Sequence, residues 1–289
     1  MSAAPMHPRR IVYFGTPEMA VLPLEALVNA GFEVVAVVTR IDKRRGRGGD
    51  MLPSPVKRAA EALGLPVLHT VDDALQVGAD LGVVVAFGQI VKPHALAVLP
   101  MVNLHFSLLP RWRGAAPVER AILAGDEVTG VCLMQVAEGL DTGDVHGCVE
   151  VAIGTDETAA SLRARLVAAG SALLVEQLTA GLGEARPQDG EATYAAKLHS
   201  DDLLLDWSQP AILRHRVVRL GGAHTTFRGR RLKVLAADLI DPSAVGDTLD
   251  GDIVGGIRLT TVQPESKGPM PFAAFANGAR PAPGERLGT

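Results

Sequence analysis

Cysteine is scarce in this 289-residue chain: Cys132 and Cys148 are the only two, and they form no Cys-x-x-Cys pair. A disulfide framework or a cysteine-rich zinc site is therefore not expected, and the usage fits a reducing cytosol. Long apolar runs are missing as well. No uncharged apolar stretch reaches the roughly 18 residues that a membrane helix requires. The opening MSAAPMHPRR has no apolar core of signal-peptide length. The expectation is a cytoplasmic protein with no membrane partner. Neither sign of charge dominates, since 28 Lys and Arg stand against 32 Asp and Glu for a net charge of −4. That balance argues against a generic nucleic-acid coat and leaves room for a local basic loop. The three-glycine dinucleotide fingerprint is absent too: FGTPEMA after the first apolar run offers Gly15 alone, which disfavours a nicotinamide enzyme. With 47% hydrophobic and 21% charged residues, the chain has the composition of a folded protein rather than a disordered one.

What is present is a regular alternation. RIVYFG, PLEALVNAG, EVVAVVT, SPVKRAAEALGL, PVLHT and LGVVVAFG follow one another in the first part of the chain. Unbroken Val and Ile runs between amphipathic segments indicate parallel strands covered on both faces by helices. The expected class is α/β, a doubly wound, mainly parallel, Rossmann-like sheet. Ligands of such sheets gather at the carboxyl ends of the strands, so the loops after Phe14, Val38, Phe87 and His105 should share one rim. VTGVCLMQV resumes the sheet and VHGCVEVAI extends it. DETAASLRARLVAAGSALLVEQLTAGL predicts a long closing helix capped by Thr155 or Asp156. Beyond Gly183 the chain turns polar, and GEARPQDGEATYAAKLHS suits a linker wrapped over a surface. A helix near 210–220 precedes TTFRGRRLKVLAA, GDIVGGIRLTTVQP and a glycine-rich tail, which read as short strands of a small OB-like β-barrel. The boundaries drawn are 1–183 for the α/β domain, 184–202 for the linker and 203–289 for the carboxyl-terminal domain.

The stretch NLHFSLLPRWRGAAP carries the first chemistry. On a strand, Asn103 and His105 point to the same side. An amide and an imidazole together can hold a carbonyl oxygen that becomes an anion, or they can merely satisfy a buried strand end. AEGLDTGDVHG offers Asp141 in a glycine-bounded loop, with Asp144 and His146 nearby; turns also use aspartate for backbone hydrogen bonds. No His-x-x-x-His or Glu-bearing helix organises these groups around a metal. Arg113 can bind a carboxylate or decorate its turn. RIDKRRGRGGDML sets Lys43, Arg44, Arg45 and Arg47 among glycines, either as a solvated loop or as a phosphate contact on the rim.

Taken together, VYFGTPEMAV, RGRGGDMLPSPVK, VVVAFGQIV, NLHFSLLPRWRGAAPV and GLDTGDV, with YAAKLHSDDLLLDW and RRLKV further on, resemble the formyltransferase family that uses 10-formyltetrahydrofolate. Within it, the methionyl-tRNA branch is the best match. The resemblance covers most of the chain. It implies a catalytic first domain in which Asn103, His105 and Asp141 match the family's catalytic residues. Ser107, Leu108, Leu109 and Pro110, with Phe87, Gly88 and Gln89, match its folate-contacting positions. Arg44, Arg45 and Arg47 match its tRNA-gripping loop. Arg228, Arg230, Arg231 and Lys233 are candidates for further tRNA contacts from the second domain. The implied co-substrate is 10-formyltetrahydrofolate, with no metal, and the implied partner is initiator methionyl-tRNA, bound by a monomer. The alternatives are a sibling that formylates a small amine, such as a sugar nucleotide or purine precursor, and a noncatalytic RNA-binding module on the same scaffold.

Overall fold

The computed structural model describes residues 4–45 and 49–289. It opens with β1 (Arg10–Gly15), α1 (Val21–Asn29), β2 (Glu33–Val38), a hairpin of β3 (Lys43–Arg45) and β4 (Asp50–Leu52), α2 (Pro55–Ala62) and β5 (Val67–Leu68). Next come α3 (Val71–Ala74), β6 (Leu81–Val85), α4 (Pro93–Val98), β7 (Met101–His105), β8 (Arg113–Gly114) and α5 (Pro117–Ala124). β9 (Val128–Gln135), β10 (Val145–Ala152), α6 (Ala159–Ala180) and β11 (Tyr194–Ala195) follow. The remainder holds α7 (Ala211–Arg219), β12 (His224–Phe227), β13 (Arg230–Leu239), β14 (Leu249–Asp250), β15 (Ile253–Val254), β16 (Ile257–Pro264), β17 (Met270–Pro271) and α8 (Phe272–Ala279). Two compact units result. One takes in the chain up to Pro117 with Val128–Ala152 and Arg163–Ala195; the other takes in Val118–Glu127, Ile153–Leu162 and Ala196–Thr289.

The first unit is built on a seven-stranded sheet in the order β10-β9-β7-β6-β1-β2-β5. Its strands from β7 to β5 are parallel, and β9 and β10 are antiparallel. The apolar runs explain this: IVYFG of β1 and LGVVV of β6 are buried throughout, as befits central strands with both faces covered. Phe14 meets Phe87 edge to face, with ring centroids 5.5 Å apart, a geometry worth about 1 kcal/mol beyond the area buried. Ser54, ahead of Pro55, caps α2 by accepting from the Lys57 N–H at 2.9 Å, which accounts for the SPVK motif locally. Among the described residues no helix is long and apolar enough to cross a membrane.

Three expectations need correction. Cys132 and Cys148 lie directly opposite each other on β9 and β10 and their sulfurs are bonded. Antiparallel register makes neighbours of residues 16 positions apart, and a count of cysteines does not reveal register. The cap of α6 is Thr158, whose hydroxyl accepts from the Ser161 N–H at 3.2 Å, not Thr155 or Asp156. The glycine-rich tail also contains a helix, α8, where only strands were expected.

In the second unit α7 packs on an antiparallel sheet ordered β12-β13-β16-β15-β14, with β17 on β16. Its core includes Trp207, Phe227, Val234, Ile257 and Phe272. Arg214 is buried beside them: its two Nη atoms donate to the carbonyls of Ala244, Gly246 and Gly255 at 2.8, 3.3 and 2.6 Å, its Nε is left without a partner among the described residues, and its guanidinium lies over the Trp207 ring. Arg216 donates to the carbonyl of Ala124 at 3.2 Å, and Arg219 donates to those of Glu157 and Gly154 at 2.8 Å each.

Candidate active site

Strand β7 alternates as expected: Val102 and Leu104 are buried, while Asn103 and His105 share the other side. β7 sits between β6 and β9, with Asn103 opposite Val84 and His105 opposite Cys132. Both residues therefore stand at the carboxyl end of the parallel sheet, where helices leave a crevice. Among the described residues the Asn103 amide has no hydrogen-bond partner. His105 is 5% exposed. Its Nε2 lies 2.9 Å from the Trp112 carbonyl and its Nδ1 lies 3.6 Å from Oδ2 of Asp141. Nε2–H thus donates to Trp112, and a ring protonated on both nitrogens would also aim a donor at the carboxylate.

Asp141 sits in the glycine-bounded loop after β9, at φ 51°. Its Oδ2 accepts from the Gly114 N–H at 2.8 Å. Trp112, at φ 60°, and Gly114 come from the Pro-rich turn after β7, so one turn supplies an acceptor to the imidazole and a donor to the carboxylate. That turn is itself held by the 193–195 segment. The Thr193 hydroxyl accepts from the Trp112 N–H at 2.9 Å, the Thr193 carbonyl accepts from Arg113 N–H at 2.9 Å, and β8 pairs with β11.

The other expected residues divide. Phe87 is in the core, while Gly88 and Gln89 are exposed on the loop after β6, beside the Asn103 strand. Ser107 is fully buried and its hydroxyl donates to the Arg111 carbonyl at 2.5 Å; Leu108, Leu109 and Pro110 are half-buried, and the Leu109–Pro110 peptide is cis. Arg113 binds Gln188, not a free carboxylate. His146 turns its Nδ1 to the Gly183 carbonyl at 2.9 Å, and among the described residues no three His, Cys, Asp or Glu side chains cluster as a metal would need. Arg44 is exposed on β3, Arg45 ends that strand, and Arg47 lies outside the described residues. The base of this basic hairpin is anchored: Thr39 bonds Ser54 at 2.8 Å, and Asp42 pairs with Lys57 at 2.8 Å, which holds the lysine above its ordinary range. Arg228 is engaged by Glu285 at 2.5 Å and Arg230 lies 3.7 Å from Glu265.

This crevice can polarise a carbonyl and manage a proton. Residues 9–178 match the family described as "Formyl transferase". The chain belongs to the formyl transferase family. This formyltransferase is 42% identical over 311 residues to the methionyl-tRNA formyltransferase of Symbiobacterium thermophilum, across 97% of this chain and 94% of that one. It is 44% identical over 277 residues to that of Dinoroseobacter shibae, across 88% and 92%. Among solved structures, the N-formyltransferase of Helicobacter canadensis in complex with folinic acid and dTDP-3-aminofucose superposes with a TM-score of 0.66 at 18% identity, over 89% of this chain and 99% of that one. HypX of Aquifex aeolicus in complex with tetrahydrofolic acid gives 0.65 at 16% identity, over 96% and 48%. At those identities the two structures speak for the fold alone.

Sequence reasoning about this formyltransferase missed the Trp112 carbonyl, the Gly114 N–H, Thr193 and Gln188. Two of these are backbone atoms, which no residue pattern encodes, and the other two fall in a polar stretch with no periodicity to mark them.

Proposed function

We propose that this formyltransferase moves the formyl group of 10-formyltetrahydrofolate onto the α-amino group of methionine carried by initiator tRNA. The relatives named methionyl-tRNA formyltransferase support this, because the two described above match along 97% and 88% of the chain and so reach into the second unit. The observation that carries the chemistry is His105 held between a carbonyl and a carboxylate, with the unpaired Asn103 amide on the same strand face.

An amine that adds to a formyl carbon turns the formyl oxygen into an anion and leaves a surplus proton on the nitrogen. Asn103 donates its side-chain N–H to that oxygen, and Nδ1–H of His105, which at 3.6 Å from Asp141 is not committed to a hydrogen bond there, supplies the second donor. Asp141 fixes the ring and balances its positive charge, and it takes the amine proton directly or through water. The proton taken from the amine is then passed from Asp141 to the folate nitrogen, which departs as its bond to the formyl carbon breaks and the carbonyl re-forms. No covalent bond to the protein forms. The Asn103 amide fits such a ligand, since among the described residues nothing else uses its hydrogen-bonding capacity. We assign the folate end to the loops carrying Phe87, Gly88 and Gln89 and carrying Ser107, Leu108, Leu109 and Pro110. Buried Phe87 and Ser107 shape those loops; Gly88, Gln89 and Leu108 to Pro110 face the ligand. Arg44, Arg45 and Arg47 offer charge to the tRNA phosphates. Each chain carries all three catalytic groups, so a monomer in the cytoplasm suffices.

The test is formyl transfer by Asn103→Ala and His105→Ala with methionine-charged initiator tRNA as acceptor, and with small amines and water as controls. Each variant should lose about 100- to 1000-fold in kcat, the usual effect of removing one oxyanion donor, with an unchanged melting curve. Near-normal transfer by His105→Ala overturns the residue assignment; wild-type preference for a small amine, or formate release without an acceptor, overturns the substrate.

A further inference from the structure

By composition, 184–202 is a passive connector, yet Gln188 within it is the junction of the active-site loops. Its Nε2 donates to the carbonyl oxygens of Asp141 and Gly143, 2.8 Å away in each case. Its Oε1 accepts from Nε and Nη2 of Arg113 at 3.0 and 2.6 Å. One side-chain amide thus joins the main chain on either side of Thr142 to a guanidinium. Asp141 needs such support. Its φ of 51° lies in the left-handed region, which a residue with a Cβ keeps only where its surroundings hold it there. The other end of the junction matters equally, because Arg113 immediately precedes Gly114, whose N–H holds the Asp141 carboxylate. Both the backbone that carries the carboxylate and the peptide that grips it are therefore tied to one amide, in partly buried surroundings where these bonds resist water.

We propose that Gln188 is a positioning residue for formyl transfer, holding the Asp141 carboxylate against His105 by linking the 141–143 backbone to Arg113. The proposal rests on the assignment of His105 and Asp141 made above. Gln188 touches no reacting atom. Its effect comes through alignment, and a misplacement of about 1 Å at a reacting centre costs on the order of 100-fold in rate.

The experiment is steady-state kinetics with 10-formyltetrahydrofolate and methionyl initiator tRNA on Gln188→Met and Gln188→Glu, each alone and combined with Asp141→Asn. Gln188→Met keeps the length of the side chain and loses every hydrogen bond. Gln188→Glu keeps the acceptor for Arg113 and removes the donor to both carbonyls, so it decides the matter should Gln188→Met not fold. Each single variant should lower kcat by about 10- to 100-fold while KM for both substrates moves less than about threefold. Added to Asp141→Asn, either should cost less than about threefold more, because the group it acts through is already gone. A merely structural role would multiply the losses. Multiplied losses, or a Gln188→Glu kcat within about twofold of wild type, overturn the proposal. If Asp141→Asn alone retains wild-type kcat, the assignment of the site fails instead, an outcome distinct from failure of Gln188 alone.

Discussion

Replacing Asp141 by Asn removes one negative charge 3.6 Å from Nδ1 of His105 and leaves an oxygen that still accepts from the Gly114 N–H. Against an imidazolium at that distance, a full charge is worth about 4.6 kcal/mol at an effective dielectric of about 20. The Asp141 side chain is 17% exposed, so water screens part of this, and halving it leaves about 2.3 kcal/mol. The expected loss in kcat then lies between about 50-fold and about 2000-fold, at 1.36 kcal/mol per decade. Stability should hardly change. A charge-assisted hydrogen bond becomes a neutral one, a difference of about 1 kcal/mol, or about 2–4 °C in Tm for a domain of this size. The assay is single-turnover transfer from 10-formyltetrahydrofolate to methionyl initiator tRNA, with thermal unfolding measured on the same preparation. A rate within about fivefold of wild type would show that no positive charge on His105 depends on Asp141. A rate loss accompanied by a Tm drop well beyond 2–4 °C would mean the substitution damages the fold and not the charge pair.

Two further outcomes follow from the same structure. A Cβ on Gly143 would overlap the Gln135 carbonyl oxygen, a backbone atom of β9; Gly143→Ala should displace the 141–143 loop and lower kcat about tenfold or more, and wild-type kinetics would contradict the geometry. His215 is buried on α7, and desolvation pushes its pKa below 6.5, opposed by Asp156 and aided by Arg219. Below its unfolded pKa the unfolded chain binds a proton that the folded chain refuses, so stability falls as pH drops below about 6.5. Tm scanned from about pH 7.5 to about pH 5 should decline less steeply in His215→Phe, and an unchanged slope would remove His215 as a contributor.

Much of the large sheet is legible in the sequence because a strand covered on both faces must be apolar along its covered length, and IVYFG, VVAVV and LGVVV obey that rule after the charged Arg10 and Glu33 that open the first two. Asn103 and His105 are readable for a related reason: the period of two puts polar residues at i and i+2 on one face of an otherwise apolar strand. Asp141 lies in a turn that, by composition alone, is as well explained by backbone hydrogen bonding, so its place beside His105 became visible only through resemblance and then geometry. Tertiary partners stay hidden. The Trp112 carbonyl, the Gly114 N–H and the register that joins Cys132 to Cys148 depend on how distant segments meet. The α8 helix was hidden differently, behind Gly278 and a Pro271 N-cap without a side-chain hydrogen bond, so none of the usual start signals announces it.

Arg216 and Arg219 spend their guanidinium groups on main-chain oxygens of 118–127 and 153–162, stretches that come long before α7 in the chain. Cutting the gene in the polar connector would strip these arginines of their acceptors and leave the carboxyl-terminal piece with two bare cations where it now has solid footing. Anyone wishing to graft this module onto another enzyme would have to transplant the two earlier segments along with it.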